Sequence, residues 1–262
     1  KNKILAPKLY TQRYNKNFIE IEDFGNETVF KTLKKKKKNK FSYFSQIIKL
    51  LIQIQSIKDR KVKNFKNQNY TIPKYDKKIL INEANLFCDW YVMNNLSKLR
   101  KKNFCKNFKK IIKELTLKLK LKNNIFVHRD FHVSNLMLVD NRIGLIDSQD
   151  ALIGNKAYDL VSLIDDVRFK SSNSFKEKVF DLYIKKNKKL DIKKFKNDFE
   201  ILSVLRNLKI IGIFTRLALR DRKKNYLKLI PYTWQLINMR ISQNQVFIDL
   251  KNLLHQNFKK IK

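Results

Sequence analysis

Apolar and polar positions alternate with a period of two in NFIEIEDFG, where Ile19 and Ile21 interleave with Glu20 and Glu22; with APKLYTQ this predicts short strands early in the chain. Gly25 ends the run, and NETVFKTL starts a helix for which Asn26 is the expected cap. From about residue 41 to 122 the spacing is helical. In ILINEANLFCDWYVMNNLSKL, the residues Leu80, Ala84, Phe87, Tyr91 and Leu96 return at helix-like intervals, and residues 104–121 form a second, lysine-decorated amphipathic stretch. The pattern then breaks. NNIFVH reads as a strand, and NLMLVDNRIGLID as a β-hairpin from Leu136 to Val139, a turn at Asp140 and Asn141, then Ile143 to Ile146. Helices resume at Ala157: Ile201, Val204, Leu205, Leu208 and Ile211 trace one face, and the stretches 224–240 and 244–258 predict two more. There is no internal repeat and no Pro/Gly/Ser linker.

Composition sharpens this picture. Apolar residues make up 43% of the 262, enough for a folded core, while only 4 Gly and 3 Pro argue against a sandwich or barrel built on tight turns. The net charge of +36, from 59 basic and 23 acidic residues, has two readings. One is a binder of nucleic acid or anionic membranes. The other is drift, with Lys, Asn and Ile replacing surface residues everywhere. The charge is spread along the chain and Lys far outnumbers Arg, the better reader of bases and phosphates, so drift is favoured and nucleic acid is not expected as a partner. The run Lys34 to Lys38 reads as a solvated loop or helix end rather than an address signal. Cys88 and Cys105 lack metal-type spacing and read as reduced thiols of a cytoplasmic protein. No run approaches the ~20 apolar residues of a membrane span, so no membrane partner is expected. His255 reads as a surface residue, and the aromatic 12% as core.

The chemistry concentrates in FVHRDFHVSNLMLVDNRIGLIDSQD, residues 126–150, which holds two of the three histidines and, in so basic a chain, Asp130, Asp147 and Asp150. Asp130, four intervening residues, Asn135, and then a hairpin returning Asp147 suit phosphoryl transfer. That reaction needs a carboxylate to orient the attacking hydroxyl and accept its proton, and oxygen ligands for a divalent ion on the nucleotide phosphates. Positioning and charge neutralisation supply most of the catalysis, so a few well-placed side chains suffice.

HRDFHVSN followed by GLID resembles the catalytic and metal-binding loops of the protein-kinase-like superfamily, in its aminoglycoside phosphotransferase and choline kinase branch. The resemblance implies an α+β protein-kinase-like fold: a mostly helical C-lobe with an embedded catalytic β-hairpin, and a truncated β N-lobe. It implies Asp130 as catalytic base, Asn135 and Asp147 as Mg²⁺ ligands, and ATP as phosphoryl donor. Only eleven residues separate Asp147 from Asp159, too few for a peptide-binding activation segment, so a small-molecule hydroxyl is the expected acceptor. Asp159 resembles the helix-start Asp that braces the catalytic loop; His128 and Arg129 are likewise assigned structural support, Arg129 through a nearby carboxylate. With LFCDWYV and IGIFTRLALRDRKKNYLKLIPYTW included, the chain from about residue 4 onward is similar to bacterial anomeric N-acetylmuramate/N-acetylglucosamine kinases, which phosphorylate an amino sugar at C1 in cell-wall recycling. Glu22, Asp23 and Phe24 fall where that family holds adenine through backbone groups. His132, Gln149, Asp150 and Trp90 are candidates for acceptor contacts, each set against a plain structural duty.

The family's Gly-rich loop, strand Lys and helix Glu belong before the hinge, and the first 21 residues contain no glycine. The expected organisation is therefore a remnant of N-lobe and hinge over 1–25 and a helical C-lobe over 26–262. The chain as given is expected to be a fragment or a degenerate protein with weak or absent kinase activity. Two alternatives stand beside the amino-sugar kinase. One is a kinase for another small alcohol, of choline or aminoglycoside type. The other is a catalytically dead, basic nucleic-acid binder on the same scaffold, whose affinity would fall steeply with salt.

Overall fold

The computed structural model describes residues 4–35, 39–63 and 66–258; residues 36–38 of the lysine run and residues 1–3 of the expected N-lobe remnant lie outside the described residues. In chain order the elements are β1 (Leu9–Arg13), β2 (Phe18–Ile21), α1 (Val29–Lys35), α2 (Lys40–Gln55), β3 (Lys61–Lys63), β4 (Asn69–Thr71), α3 (Lys77–Leu86), a π-helical turn (Phe87–Val92), α4 (Met93–Asn95), α5 (Lys98–Leu117), β5 (Asn123–Val127), β6 (Leu136–Val139), β7 (Arg142–Leu145), β8 (Leu152–Asn155), α6 (Tyr158–Ile164), α7 (Asn173–Lys186), α8 (Ile192–Leu219), α9 (Ile230–Ile241) and α10 (Ile248–Asn257). The class is α+β, as expected. Among the described residues the strands pair in twos, β1 with β2, β3 with β4, β5 with β8 and β6 with β7, all antiparallel. No helix among the described residues is long and apolar enough to cross a membrane.

The chain divides into two compact units, Lys1–Tyr75 with Lys122–Leu190, and Asp76–Leu121 with Asp191–Lys262. The first unit holds all of the strands. Helix α2 buries Phe44, Ile47, Ile48 and Leu51, and Phe44 meets Phe175 edge-on at 5.0 Å. The buried Gln55 at the end of α2 accepts from Tyr183 Oη of α7 at 2.6 Å. Helix α7 is capped by Ser172, whose hydroxyl accepts from Phe175 N–H. The pair β5–β8 carries Ile125 opposite Gly154. A Cβ at Gly154 would lie 3.0 Å from Tyr75 Cβ, so that glycine admits Tyr75 against the sheet.

The second unit is helical and centres on α8, whose 28 residues are buried over most of their length because α3, the π-helical turn, α5 and α9 pack around it. Asp191 caps α8 by accepting from Lys194 N–H, and the buried Asp198 accepts from Lys120 and Leu121 N–H, both at 2.8 Å. Phe87, Tyr91, Phe104, Phe108, Trp234 and Phe258 form an aromatic cluster with ring centroids 5.3–6.1 Å apart along its contacts. A Cβ at Gly212 would collide with the Leu86 carbonyl, so α8 meets the start of the π-helical turn backbone to backbone.

Several expectations need correction. The hairpin β3–β4 interrupts the region read as helical from 41 to 122; its strands are three residues each and fully exposed, too short for a period-two signal. Strand β8 was not anticipated, because it is four residues long and finds its partner 25 or more residues upstream. Helix α1 begins at Val29, and Thr28 Oγ1 accepts from Lys31 N–H at 3.1 Å, so Thr28 replaces Asn26 as the capping residue. The stretch 224–240 opens with a 3₁₀ segment, Lys224–Leu229, before α9. The two cysteines need no correction: Cys88 and Cys105 are both free thiols, as read from their spacing.

Candidate active site

Within the first unit, β5 leads into a loop that returns through a 3₁₀ turn, Val133–Asn135, to the hairpin β6–β7. The hairpin is short but held on both edges. Leu145 N–H donates to the Leu5 carbonyl and Leu138 N–H to the Glu27 carbonyl, each at 2.8 Å. Its inner residues Leu136, Ile143, Gly144 and Leu145 are buried.

Asn135 ties loop and hairpin together. Its N–H donates to the His132 carbonyl, and its own carbonyl accepts from Ile146 N–H at the hairpin's end. Its side-chain amide donates both to the Asp130 carbonyl at 3.1 Å and to Asp147 Oδ2 at 3.2 Å. Asp130, Asn135 and Asp147, twelve residues apart at most from Asn135, are thereby brought to one place. Asp147 is exposed, and its other carboxylate oxygen accepts from Gln149 Nε2 at 2.6 Å.

The loop is braced from beneath. Asp159, fully buried at the start of α6, accepts His128 N–H at 2.8 Å and Arg129 N–H at 3.0 Å. One helical turn later Ser162 Oγ donates to the Arg129 carbonyl. These three bonds hold Arg129 in a left-handed conformation, φ 74°, that costs a non-glycine residue energy; Asp147, at φ 68°, has the same feature. Two strained residues flanking the convergence point mark it as a site where geometry has been favoured over local comfort. The Arg129 side chain lies over the Tyr75 ring at 5.4 Å and donates to the Asp150 carbonyl.

His128 is fully buried, with Nε2 3.0 Å from the Ile146 carbonyl. A carbonyl only accepts, so Nε2 carries the proton and the neutral ring leaves Nδ1 bare. Burial pulls its pKa down from the ordinary value, while the Ile146 carbonyl and the charges of Asp130 and Asp147 pull the other way. His128 is a packed wedge between loop and hairpin.

The remaining candidates separate. His132 is buried, and its main chain closes the turn between Asp130 and Asn135. Glu22 N–H donates to the Lys8 carbonyl and Asp23 Oδ1 accepts from Gly25 N–H, which shapes the chain after β2. Phe24 lies on the hairpin: a Cβ at Gly144 would be 2.7 Å from Phe24 Cε2. Trp90 belongs to the second unit, on the π-helical turn, where it is partly exposed. The side chains of Tyr75 and Ser162 were not singled out from sequence. Ser162 carried a faint signal, three residues after Asp159 and so on the same helix face.

Among the described residues no group of three or more His, Cys, Asp or Glu side chains is placed to hold a metal ion. The donor set here is instead one carboxylate and one amide, both hard oxygen ligands. It fits Mg²⁺, which is bound through one or two protein oxygens and completed by water and phosphate oxygens.

A loop carboxylate, an amide and a hairpin carboxylate, braced from a helix start in an α+β chain, define the layout of a kinase-like protein. The chain belongs to the phosphotransferase enzyme family, whose model matches residues 33–191. It is 30% identical over 223 residues to the N-acetylmuramate/N-acetylglucosamine kinase of Neisseria meningitidis serogroup B, covering 82% of this chain and 64% of that protein. It is 28% identical over 255 residues to the enzyme of the same name from Pseudomonas aeruginosa, covering 95% and 72%. The chain thus spans about two thirds of the length of these relatives, slightly less for the first. The ADP-bound aminoglycoside phosphotransferase APH(2'')-Ib superposes with a TM-score of 0.56 at 18% identity over 90% of this chain and 77% of that one. The fold is protein-kinase-like.

Proposed function

We propose that this protein transfers the γ-phosphoryl group of ATP to a hydroxyl of a small molecule, and that the acceptor is the C1 hydroxyl of N-acetylmuramate or N-acetylglucosamine. The reading rests on one observation above the others: the Asn135 amide spans the Asp130 main chain and the Asp147 carboxylate, so loop and hairpin meet at one point. The relatives named for these two sugars support the choice of acceptor. The ADP in the solved phosphotransferase supports a nucleotide donor.

In this reading Asp130 takes the proton of the acceptor hydroxyl and aims its oxygen at the phosphorus. Asn135 and Asp147 hold Mg²⁺, which when bound neutralises charge on the phosphates. Asp159 and Ser162 fix the main chain around Asp130, so that the carboxylate is already in position before substrate arrives. Main-chain groups of Glu22, Asp23 and Phe24 receive the adenine, with Phe24 packed on the hairpin that carries Asp147. Residues 1–25 are read as a remnant of N-lobe and hinge, and residues 26–262 as the helical C-lobe.

The test is ADP release by the protein expressed from its complete reading frame, offered N-acetylmuramate, N-acetylglucosamine, choline and an aminoglycoside in parallel. The two amino sugars are expected to turn over, and Asp130→Asn to lower kcat by about 10²–10⁴-fold with little change in KM. Turnover of choline or the aminoglycoside alone would replace the proposed acceptor. Full activity in Asp130→Asn would remove the base from its role.

A further inference from the structure

A second feature of the first unit lies outside the loop and hairpin. A surface cavity of about 520 Å³ is lined by Lys156, Lys185, Lys186, Lys188 and Lys189, together with Asn187. No carboxylate lines it. Lysine takes five of its seven lining positions, whereas Lys and Arg together make 59 of the 262 residues. The volume falls within the range of small-molecule sites, about 300–1,000 Å³.

Lys156 is built in differently from the lysines around it. It follows β8, and its carbonyl accepts from Gln55 Nε2 at 2.9 Å; the same Gln55 accepts from the buried Tyr183 hydroxyl. Its main chain is therefore fastened to both α2 and α7. Its ammonium is half-buried and donates to Asn187 Oδ1 at 2.9 Å, a neutral amide. Asn187 is fixed in turn: its side-chain amide donates to the Tyr183 carbonyl and its N–H to the Ile184 carbonyl. These bonds satisfy two carbonyls in the last turn of α7, Tyr183 and Ile184, which would otherwise be natural partners of basic residues at a helix C-terminus. A cation has lost part of its hydration and, among the described residues, gained no counter-charge, and burial pulls the Lys156 pKa down. The other four lysines are exposed around it.

We propose that this cavity binds a compact, soluble anion bearing several phosphate charges. Lysine ammoniums are point charges with rotatable donors, suited to phosphate oxygens that lie in no single plane, and no Arg fork is present to select a planar carboxylate. Leu190 is the one apolar residue in the lining, which leaves nothing to receive an acyl chain. The occupant supplies the charge that Lys156 lacks.

The experiment is calorimetric titration of the complete protein with inorganic tripolyphosphate, in EDTA so that no metal-bridged binding at Asp147 contributes. Saturable binding is expected, with Lys156→Met weakening it about tenfold or more, the loss of one charge-assisted bond. The rim variant Lys185→Gln/Lys188→Gln is exposed, leaves the Gln55–Tyr183 link intact, and is expected to weaken binding as well. The control Lys102→Gln/Lys106→Gln removes the same charge from the exposed face of α5 and is expected to leave affinity unchanged. Equal losses in rim and control variants, or affinity in the rim variant equal to wild type, would overturn the proposal.

Discussion

Two antiparallel hairpins in the first unit, each built of strands four or five residues long, differ in what surrounds them. In β6–β7 the inner side chains are buried and both edges are hydrogen-bonded, to Leu5 and Glu27. In β1–β2 every side chain described is exposed, including Leu9, Tyr10, Phe18, Ile19 and Ile21. An isolated two-stranded ribbon is marginal in water, so strand pairing alone does not hold a chain in place. What makes β6–β7 a platform is its surroundings: two flanking main-chain segments, Phe24 on Gly144, and a loop pinned by Asp159. Precision at Asp147 is inherited from those neighbours.

The difference is best broken at its strongest point. Asp159→Ala would leave the His128 and Arg129 N–H groups buried without an acceptor, at a cost of about 3–5 kcal/mol by urea denaturation. Next is Gly144→Ala, whose methyl would press on Phe24; the ring can turn aside, so about 1 kcal/mol is expected, together with weaker nucleotide binding. A smaller effect concerns pH. The folded pKa of His128 lies below its ordinary 6.5, so the unfolded chain binds more protons as pH falls through that value. Stability is therefore present above about pH 6.5 and declines below it, and His128→Asn is expected to show a shallower decline between pH 7.5 and 5.5. Smallest is Ile19→Thr in the exposed ribbon, expected to change stability by about 0.5 kcal/mol or less. A larger loss there would show that β1–β2 is packed against something after all.

The comparison also explains what the sequence could tell. The hairpin β6–β7 was legible because its apolar runs flank an Asp-Asn turn, and the meeting of Asn135 with the Asp130 main chain and the Asp147 carboxylate because their spacing is tied to that hairpin. The ribbon β1–β2 was legible as alternation, but alternation says which residues share a face and not whether anything covers it. Strand β8 and the β3–β4 hairpin were too short to register. The π-helical turn starts where α8 comes backbone to backbone with Leu86 at Gly212, more than a hundred residues later, a contact no local pattern encodes. Asn26 and Thr28 both cap well by residue type, and only the chain's path decides for Thr28.

In the proposed mechanism Asn135 and Asp147 jointly hold the metal that accompanies the nucleotide. The direct measurement is ATP affinity as a function of Mg²⁺ concentration, in the wild type and in Asp147→Asn and Asn135→Ala. The Mg²⁺ needed for half-maximal ATP binding should rise about tenfold or more in each variant, with metal-free binding little altered. A wild-type Mg²⁺ response in both variants would contradict it.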